Sequence, residues 1–299
     1  MTPEEILAQP SLTLSQQQRE FYFENGYLAA QDLIPQGMLD TLRKATQDLV
    51  DESAGLTASN DRFDLSPQHC AESPQPRRIR AAVDQHPAYW QFASSPLMTD
   101  IAADLVGPDV KFHSSKLNFK WPSAGEEVKW HQDIPAWPHS NFSPVTIGIY
   151  LEDVATADGP LAAIPGSHNR DLFDHFGENG AWTGFIADQD LTSAALDSAD
   201  EMAGPAGTLA VVNCRTIHGS QRNRGKHARP LLLNVYSSAD AFALCAPPTP
   251  TSHTGEIVRG EPARWSHNDP RPCRIPPDWS RDGYVSIFAA QNQENQAQT

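Results

Sequence analysis

The residues with chemistry to offer gather at Trp130-His131-Gln132-Asp133, with His218 lying 85 residues beyond Asp133 and Arg229 eleven residues beyond that histidine. In an extended segment alternate side chains share a face, so His131 and Asp133 point the same way and can reach one ion together. A third ligand must come from elsewhere, and His218 is the candidate. Two histidines and one carboxylate on one side of a metal leave three octahedral positions open. This is the facial arrangement of non-haem Fe(II) oxygenases, whose open positions take co-substrate and dioxygen. Alone, His-x-Asp is a weak sign in a chain with 11 histidines and 37 acidic residues, and its surroundings must give it weight.

Those surroundings are strands and turns. Pro144 to Glu152 places Val145, Ile147, Ile149 and Leu151 on one face of a strand and Thr146 and Tyr150 on the other. The turn-rich segments Asp158-Gly159-Pro160-Leu161 and Ile164-Pro165-Gly166-Ser167-His168 follow. Gly207-Thr208-Leu209-Ala210-Val211-Val212 then precedes Ile217-His218-Gly219-Ser220, and Arg229 opens a strand over Pro230 to Tyr236. In this order and spacing the chain resembles the phytanoyl-CoA dioxygenase family over about residues 15–240.

The resemblance implies an enzyme that binds Fe(II), 2-oxoglutarate and O2 and hydroxylates an aliphatic C–H of a small molecule, releasing succinate and CO2. It makes His131, Asp133 and His218 the metal ligands. Arg229 matches the residue that holds the distal carboxylate of 2-oxoglutarate, a task suited to a permanently charged guanidinium with parallel donors. Ser220 matches a hydroxyl donating to that same carboxylate, and Asn118 matches a further 2-oxoglutarate contact. A cation in the segment Arg77-Arg78-Ile79-Arg80 reaches the active site in relatives, which nominates Arg78 for a substrate contact. Trp137 sits where some relatives hold an aromatic against substrate. His168 belongs to a family turn and is not a ligand there.

Other assignments rest on the residues themselves. Lys116 and Lys120 flank Asn118 on one strand face, and Lys116 is the choice for a co-substrate anion, with an edge lysine as the competing account. If the Val145 to Leu151 row packs outward against helices, Thr146 and Tyr150 face the cavity and Tyr150 touches the co-substrate. His227 lies in a basic run that faces water.

The expected architecture is mainly β, a double-stranded β-helix or jelly roll with flanking N-terminal helices. A single oxygenase domain spans 1–299: a mainly helical flank with a lid loop over 1–109, the core over 110–240 with an insertion at 169–206, and a surface-wrapping tail over 241–299. Its 25 prolines and 18 glycines suit many strands joined by turns. Thr13 is a candidate helix cap and Gly26 a helix stop. A second helix is expected over Gln36 to Val50 and a helix pair over Pro87 to Leu105, while 51–76 reads as surface loop. Gln291 to Thr299 reads as disordered.

A net charge of −15 argues against nucleic-acid or anionic-membrane partners. No apolar run approaches the ~20 residues needed to span a bilayer, and the N-terminus lacks a signal core, which places the chain in the cytoplasm. Four irregularly spaced cysteines suit reduced thiols. A desaturase, epimerase or cyclase on the same iron centre, a non-catalytic jelly-roll binding protein, and a zinc or manganese cupin remain as alternatives. Retention of all three ligands speaks against the second, and Arg229 with Ser220 against the third.

Overall fold

In the computed structural model, the described residues are 1–122, 127–177 and 180–291. In chain order the strands are β1 (Tyr27–Ala30), β2 (Phe63–Leu65), β3 (Pro76–Arg80), β4 (Val110–Lys120), β5 (Val128–His131), β6 (Val145–Tyr150), β7 (Ala162–Ala163), β8 (Asp200–Glu201), β9 (Leu209–Asn213), β10 (His218–Ser220), β11 (Arg229–Ser238) and β12 (Ile257–Arg259). They form two antiparallel sheets. The larger runs β1-β9-β6-β11-β4-β3-β2 with β12 added beside β4, and the smaller runs β5-β10-β7-β8. This is the jelly roll expected, with helices flanking it.

The larger sheet is two-faced because its strands alternate. Val145, Ile147, Ile149, Leu117, Phe119, Leu232 and Tyr236 join the helical residues Leu39, Leu42, Leu49, Met98, Ile101 and Leu105 in one buried cluster. Leu231, Leu233, Tyr150, Ala210 and Val212 cluster on the opposite face. A one-residue slip in any of these strands would exchange the two faces, so the apolar pattern fixes the register. Gly148 lets β11 close in, since a Cβ there would stand 3.0 Å from Leu231, Leu233 and the Ala210 carbonyl. Ser114 pairs with Val235 while Phe112 pairs with Tyr236, leaving His113 as the extra residue of a β-bulge.

Helices cover the outer face at Gln16–Asn25, Gln36–Ser53, Pro87–Ala93 and Pro96–Val106. The last two confirm the expected pair, each with proline at its start. The cap of the Gln16 helix is Ser15, in a capping box with Gln18, and not Thr13. The Leu12, Thr13 and Leu14 amides instead converge on the buried Asp104 carboxylate, which competes for this turn and wins. Gly26 ends that helix in the left-handed conformation at φ 81°.

Two readings need correction. The 51–76 loop contains β2, because Phe63 is buried and Asp64 pairs with Arg77 at 2.8 Å. The tail does more than wrap the surface: β12 extends the larger sheet, and Trp279, Ile287 and Phe288 are buried. Gln291 is buried as well, and the rest of the end expected to be disordered lies outside the described residues. No helix among the described residues is long and apolar enough to cross a membrane.

Candidate active site

Between the sheets lies a cavity of about 80 Å³. From the smaller sheet it receives His131, His218, Gly219 and Ser220. The larger sheet gives Arg78, Lys116, Asn118, Thr146, Arg229, Leu231 and Leu233.

His131 and His218 are direct partners in the β5–β10 pairing, with ring centroids 4.1 Å apart. Each ring turns its Nδ1 to a backbone carbonyl two residues earlier at 2.9 Å, Lys129 for His131 and Thr216 for His218. A nitrogen that meets a carbonyl carries the proton, so Nε2 of each ring keeps its lone pair for the space between them. Burial, then the neighbouring His218, holds His131 well below the usual imidazole range, which keeps it neutral and ready to ligate.

Asp133 completes the cluster, but not by the route the sequence suggests. Its backbone has left the strand for the helical region, at φ −75° and ψ −40°, and begins a single 3-10 turn over Ile134–Ala136. The turn, and not the strand pleat, swings its carboxylate back beside His131. Oδ1 then lies 3.9 Å from His131 Nε2 and 4.0 Å from His218 Nε2, and ligand atoms of all three residues lie within 4.8 Å of one another. Thr146 donates to Oδ2 at 2.7 Å, which aims Oδ1 at the histidines. Burial by itself would push the carboxyl up, but His218, Lys116, His131 and the Thr146 hydroxyl together hold it below its ordinary value. Two imidazoles that turn Nε2 inward and one carboxylate make a donor set that fits Fe(II).

At the far side of the cavity Arg229 is 3% exposed, yet its Nε and Nη1 have no partner among the described residues. A buried guanidinium with idle donors is a site built for an anion. Ser220 and Asn118 line the same space, so the residues present fit 2-oxoglutarate. Tyr150 stands behind Arg229 and does not line the cavity: its ring centroid is 5.8 Å from the guanidinium carbon and its hydroxyl accepts from the Leu161 amide at 2.8 Å. The expected co-substrate residue Tyr150 is thus placed beside Arg229 and outside the cavity lining.

The two flanking lysines separate. Lys116 lines the cavity, its amine lowered by burial and supported by Asp133. Lys120 is spent on structure, donating to the carbonyls of Ser220, at 2.9 Å, and Gln221. Burial pushes it down to about 6, and its bonds tie β4 to the end of β10. Arg78 is buried, its Nε donating to Asn118 Oδ1 at 3.0 Å. Trp137 lines the cavity and packs 5.2 Å from His113. His168 holds the Phe23 carbonyl at 3.0 Å and His227 is exposed, both away from the cluster.

Among the lining or supporting residues that sequence reading missed, four come from irregular segments. Trp182 enters from the 169–206 insertion, and Tyr284 and Ile287 enter from the tail. His175 sits one layer out, accepting from the Gln132 amide at 2.9 Å and so fixing the residue between two ligands. None lies in a periodic segment, and only the surplus of aromatics in these stretches hinted at them.

The sequence profile of the phytanoyl-CoA dioxygenase (PhyH) family matches residues 22–231. A Stutzerimonas stutzeri protein named "Probable alpha-ketoglutarate-dependent hypophosphite dioxygenase" is 29% identical over 232 residues, covering 77% of this chain and 80% of that protein. Ectoine dioxygenase from Sphingopyxis alaskensis is 26% identical over 243 residues, covering 75% and 76%. The crystal structure of EctD from S. alaskensis with 2-oxoglutarate and 5-hydroxyectoine aligns at TM-score 0.65 and 23% identity, covering 95% of this chain and 90% of that one. That likeness speaks to the fold.

Proposed function

The chain belongs to the phytanoyl-CoA dioxygenase family and is an Fe(II)- and 2-oxoglutarate-dependent dioxygenase, and from that premise we propose the following division of labour. His131, Asp133 and His218 hold the iron, and Arg229 with Ser220 and Asn118 holds 2-oxoglutarate. Bound there, iron with 2-oxoglutarate and O2 supplies the oxidation that breaks an aliphatic C–H bond and adds hydroxyl, leaving succinate and CO2. The observation that carries this reading is the pairing of a two-histidine, one-carboxylate cluster with a buried guanidinium whose Nε and Nη1 have no partner among the described residues.

Each residue has a task that its own geometry supports. The carbonyls of Lys129 and Thr216 keep the imidazole protons on Nδ1, so both Nε2 atoms face the ion. Thr146 orients Asp133. Tyr150 props Arg229 from behind, and the leucine pair Leu231 and Leu233 keeps the space between them dry. Lys116 offers a second cation near the cluster. Arg78, Trp137 and Trp182 face the remaining volume and contact a compact small-molecule substrate. Which oxidative outcome follows, hydroxylation or a desaturating, epimerising or ring-closing variant, depends on how these residues place the reacting carbon.

The whole of 1–299 works as one oxygenase domain, because the tail both extends the larger sheet and lines the cavity. Free thiols at all four cysteines suit the cytoplasm, and the charge of −15 suits a small-molecule partner over nucleic acid or an anionic membrane. The test is anaerobic addition of Fe(II) and 2-oxoglutarate, which should give the weak visible charge-transfer band of the chelate. Substrate-dependent succinate release from compound pools then identifies the substrate. Correctly folded protein that gives no band would return the chain to a zinc cupin or a binding protein.

A further inference from the structure

We propose that Arg78, Lys116 and Tyr284 form an oxyanion subsite, so that the substrate is a compact molecule bearing a carboxylate, phosphonate or phosphinate group near the oxidised bond. The proposal rests on the iron and 2-oxoglutarate reading for its place in catalysis, and on the charges of the cavity for its chemistry.

Four charged side chains line the cavity: Arg78, Lys116 and Arg229 are cations and Asp133 is a carboxylate. Three positive charges against one negative leave an excess of two. Loading the site does not relieve it, since Fe(II) brings two positive charges and 2-oxoglutarate two negative ones. Whichever cation the co-substrate carboxylates meet, the total is unchanged. Uncompensated charge held out of water is costly unless an opposite charge arrives, and the substrate is the one component left to bring it.

The excess sits at the substrate side. Arg78 and Lys116 lie on adjacent strands, Arg78 opposite Asn118 and Lys116 two residues further along the same face of β4. Neither forms an ion pair among the described residues. The one carboxylate packed near Arg78 on its own hairpin, Asp64, is taken by Arg77 at 2.8 Å. Asn118 fixes the Nε edge of Arg78, the Phe288 ring lies 5.0 Å from its guanidinium carbon, and the side chain lines the cavity. This is a guanidinium oriented in advance, the arrangement that favours paired bonds to a planar or tetrahedral oxyanion. Tyr284 brings a phenol to the same space; burial raises it above its ordinary value and the Arg78 charge opposes that rise. It comes from a segment beyond the 22–231 family match, so this third donor belongs to the chain's own specificity.

The test starts from the anaerobic Fe(II) and 2-oxoglutarate complex, whose visible band verifies the underlying reading separately. Hypophosphite, acetate and methylphosphonate are titrated in turn, each against sodium chloride of equal ionic strength and against neutral acetamide. Tryptophan fluorescence reports binding, because Trp137 and Trp182 line the cavity. Saturable binding of at least one oxyanion is expected, with none for acetamide, and the responding probe distinguishes phosphorus from carboxylate chemistry. Arg78→Gln should weaken that binding about tenfold or more with the band intact, Arg78→Lys should restore part of it, and Tyr284→Phe should cost a few-fold. If Arg78→Gln does not fold, Lys116→Gln and Tyr284→Phe carry the comparison. A normal band with no saturable oxyanion, equal binding of acetamide, or unchanged affinity in all three variants overturns the subsite. Should the band itself be missing, the same titration on metal-free protein still decides through Arg78→Gln, since an oxyanion held by Arg229 alone would bind that variant as tightly as the wild type.

Discussion

The floor of the cavity and its mouth are built in different ways. The floor consists of side chains on paired strands: His131 faces His218 across one ladder, and Arg229 opens β11 beside β4 and β6. The mouth is assembled from separate segments, with Trp182 from the insertion and Trp279, Tyr284 and Ile287 from the tail. Trp182 meets Trp279 edge-on at 5.4 Å. Continuous ladder hydrogen bonds hold the floor to fixed distances, while the mouth is held by an isolated bridge between Phe176 and Trp182, scattered backbone bonds such as that from Ile186 to Trp130, and side-chain contacts. A site of this construction separates the chemistry, which needs sub-ångström placement, from recognition, which tolerates rearrangement.

The largest effect is expected at the ligands. His131→Ala or His218→Ala should abolish turnover and strip iron while circular dichroism stays unchanged, because each removes one of three protein donors. Full activity in either variant, with metal content measured alongside, would remove that histidine from the floor. Asp133→Gly should also lose most turnover. The wild-type product, read by mass spectrometry with and without chloride or bromide, should carry no halogen, since the carboxylate already fills its position.

Arg229→Ala comes next. Losing the charge that meets the co-substrate costs on the order of 2–5 kcal/mol, so the apparent 2-oxoglutarate constant should rise at least about tenfold. An unchanged 2-oxoglutarate dependence would show that another cation holds the distal carboxylate. Trp182→Ala tests the mouth. It should leave the iron and 2-oxoglutarate band intact and raise the KM for substrate several-fold, and a lost band would mean that mouth and floor are not independent.

A separate effect is expected on stability, through His175. Burial pushes this imidazole down to about 4, against an ordinary 6.5, so between those values the unfolded chain binds the proton and the folded chain does not. Stability is therefore complete above about pH 6.5, declines as pH falls toward 4, and loses nothing further from this group below that. The decline amounts to on the order of 3 kcal/mol. His175→Gln keeps an acceptor for the Gln132 amide and should flatten the fall of melting temperature with acid. A slope equal to wild type would take His175 out of the account.

The same division explains what could be read in advance. The strand pattern and the spacing of His131, Asp133, His218 and Arg229 were legible because periodic residues and chemical types coincide there. The helix pair and the jelly roll followed for the same reason. Lys116 and Lys120 could not be told apart, being on one face: which amine meets the cavity depends on where the carbonyls of Ser220 and Gln221 end up. Tyr284 was illegible because its neighbour Arg78 is some two hundred residues away in sequence and its segment is irregular. His175 had no companion ligand and no period, and its partner is a backbone amide, which no side-chain pattern records.

The departure of Asp133 from its strand bears on how freely this position can drift over evolutionary time. The two histidines stand on opposing rungs, so the spacing between them is set by the backbone ladder. The carboxylate hangs on a single turn that begins after the ladder has ended, and its removal leaves every β-sheet hydrogen bond in place. Inheritance can therefore re-aim the third ligand by altering one turn, while the spacing of the histidine pair changes only with the sheet that presents it.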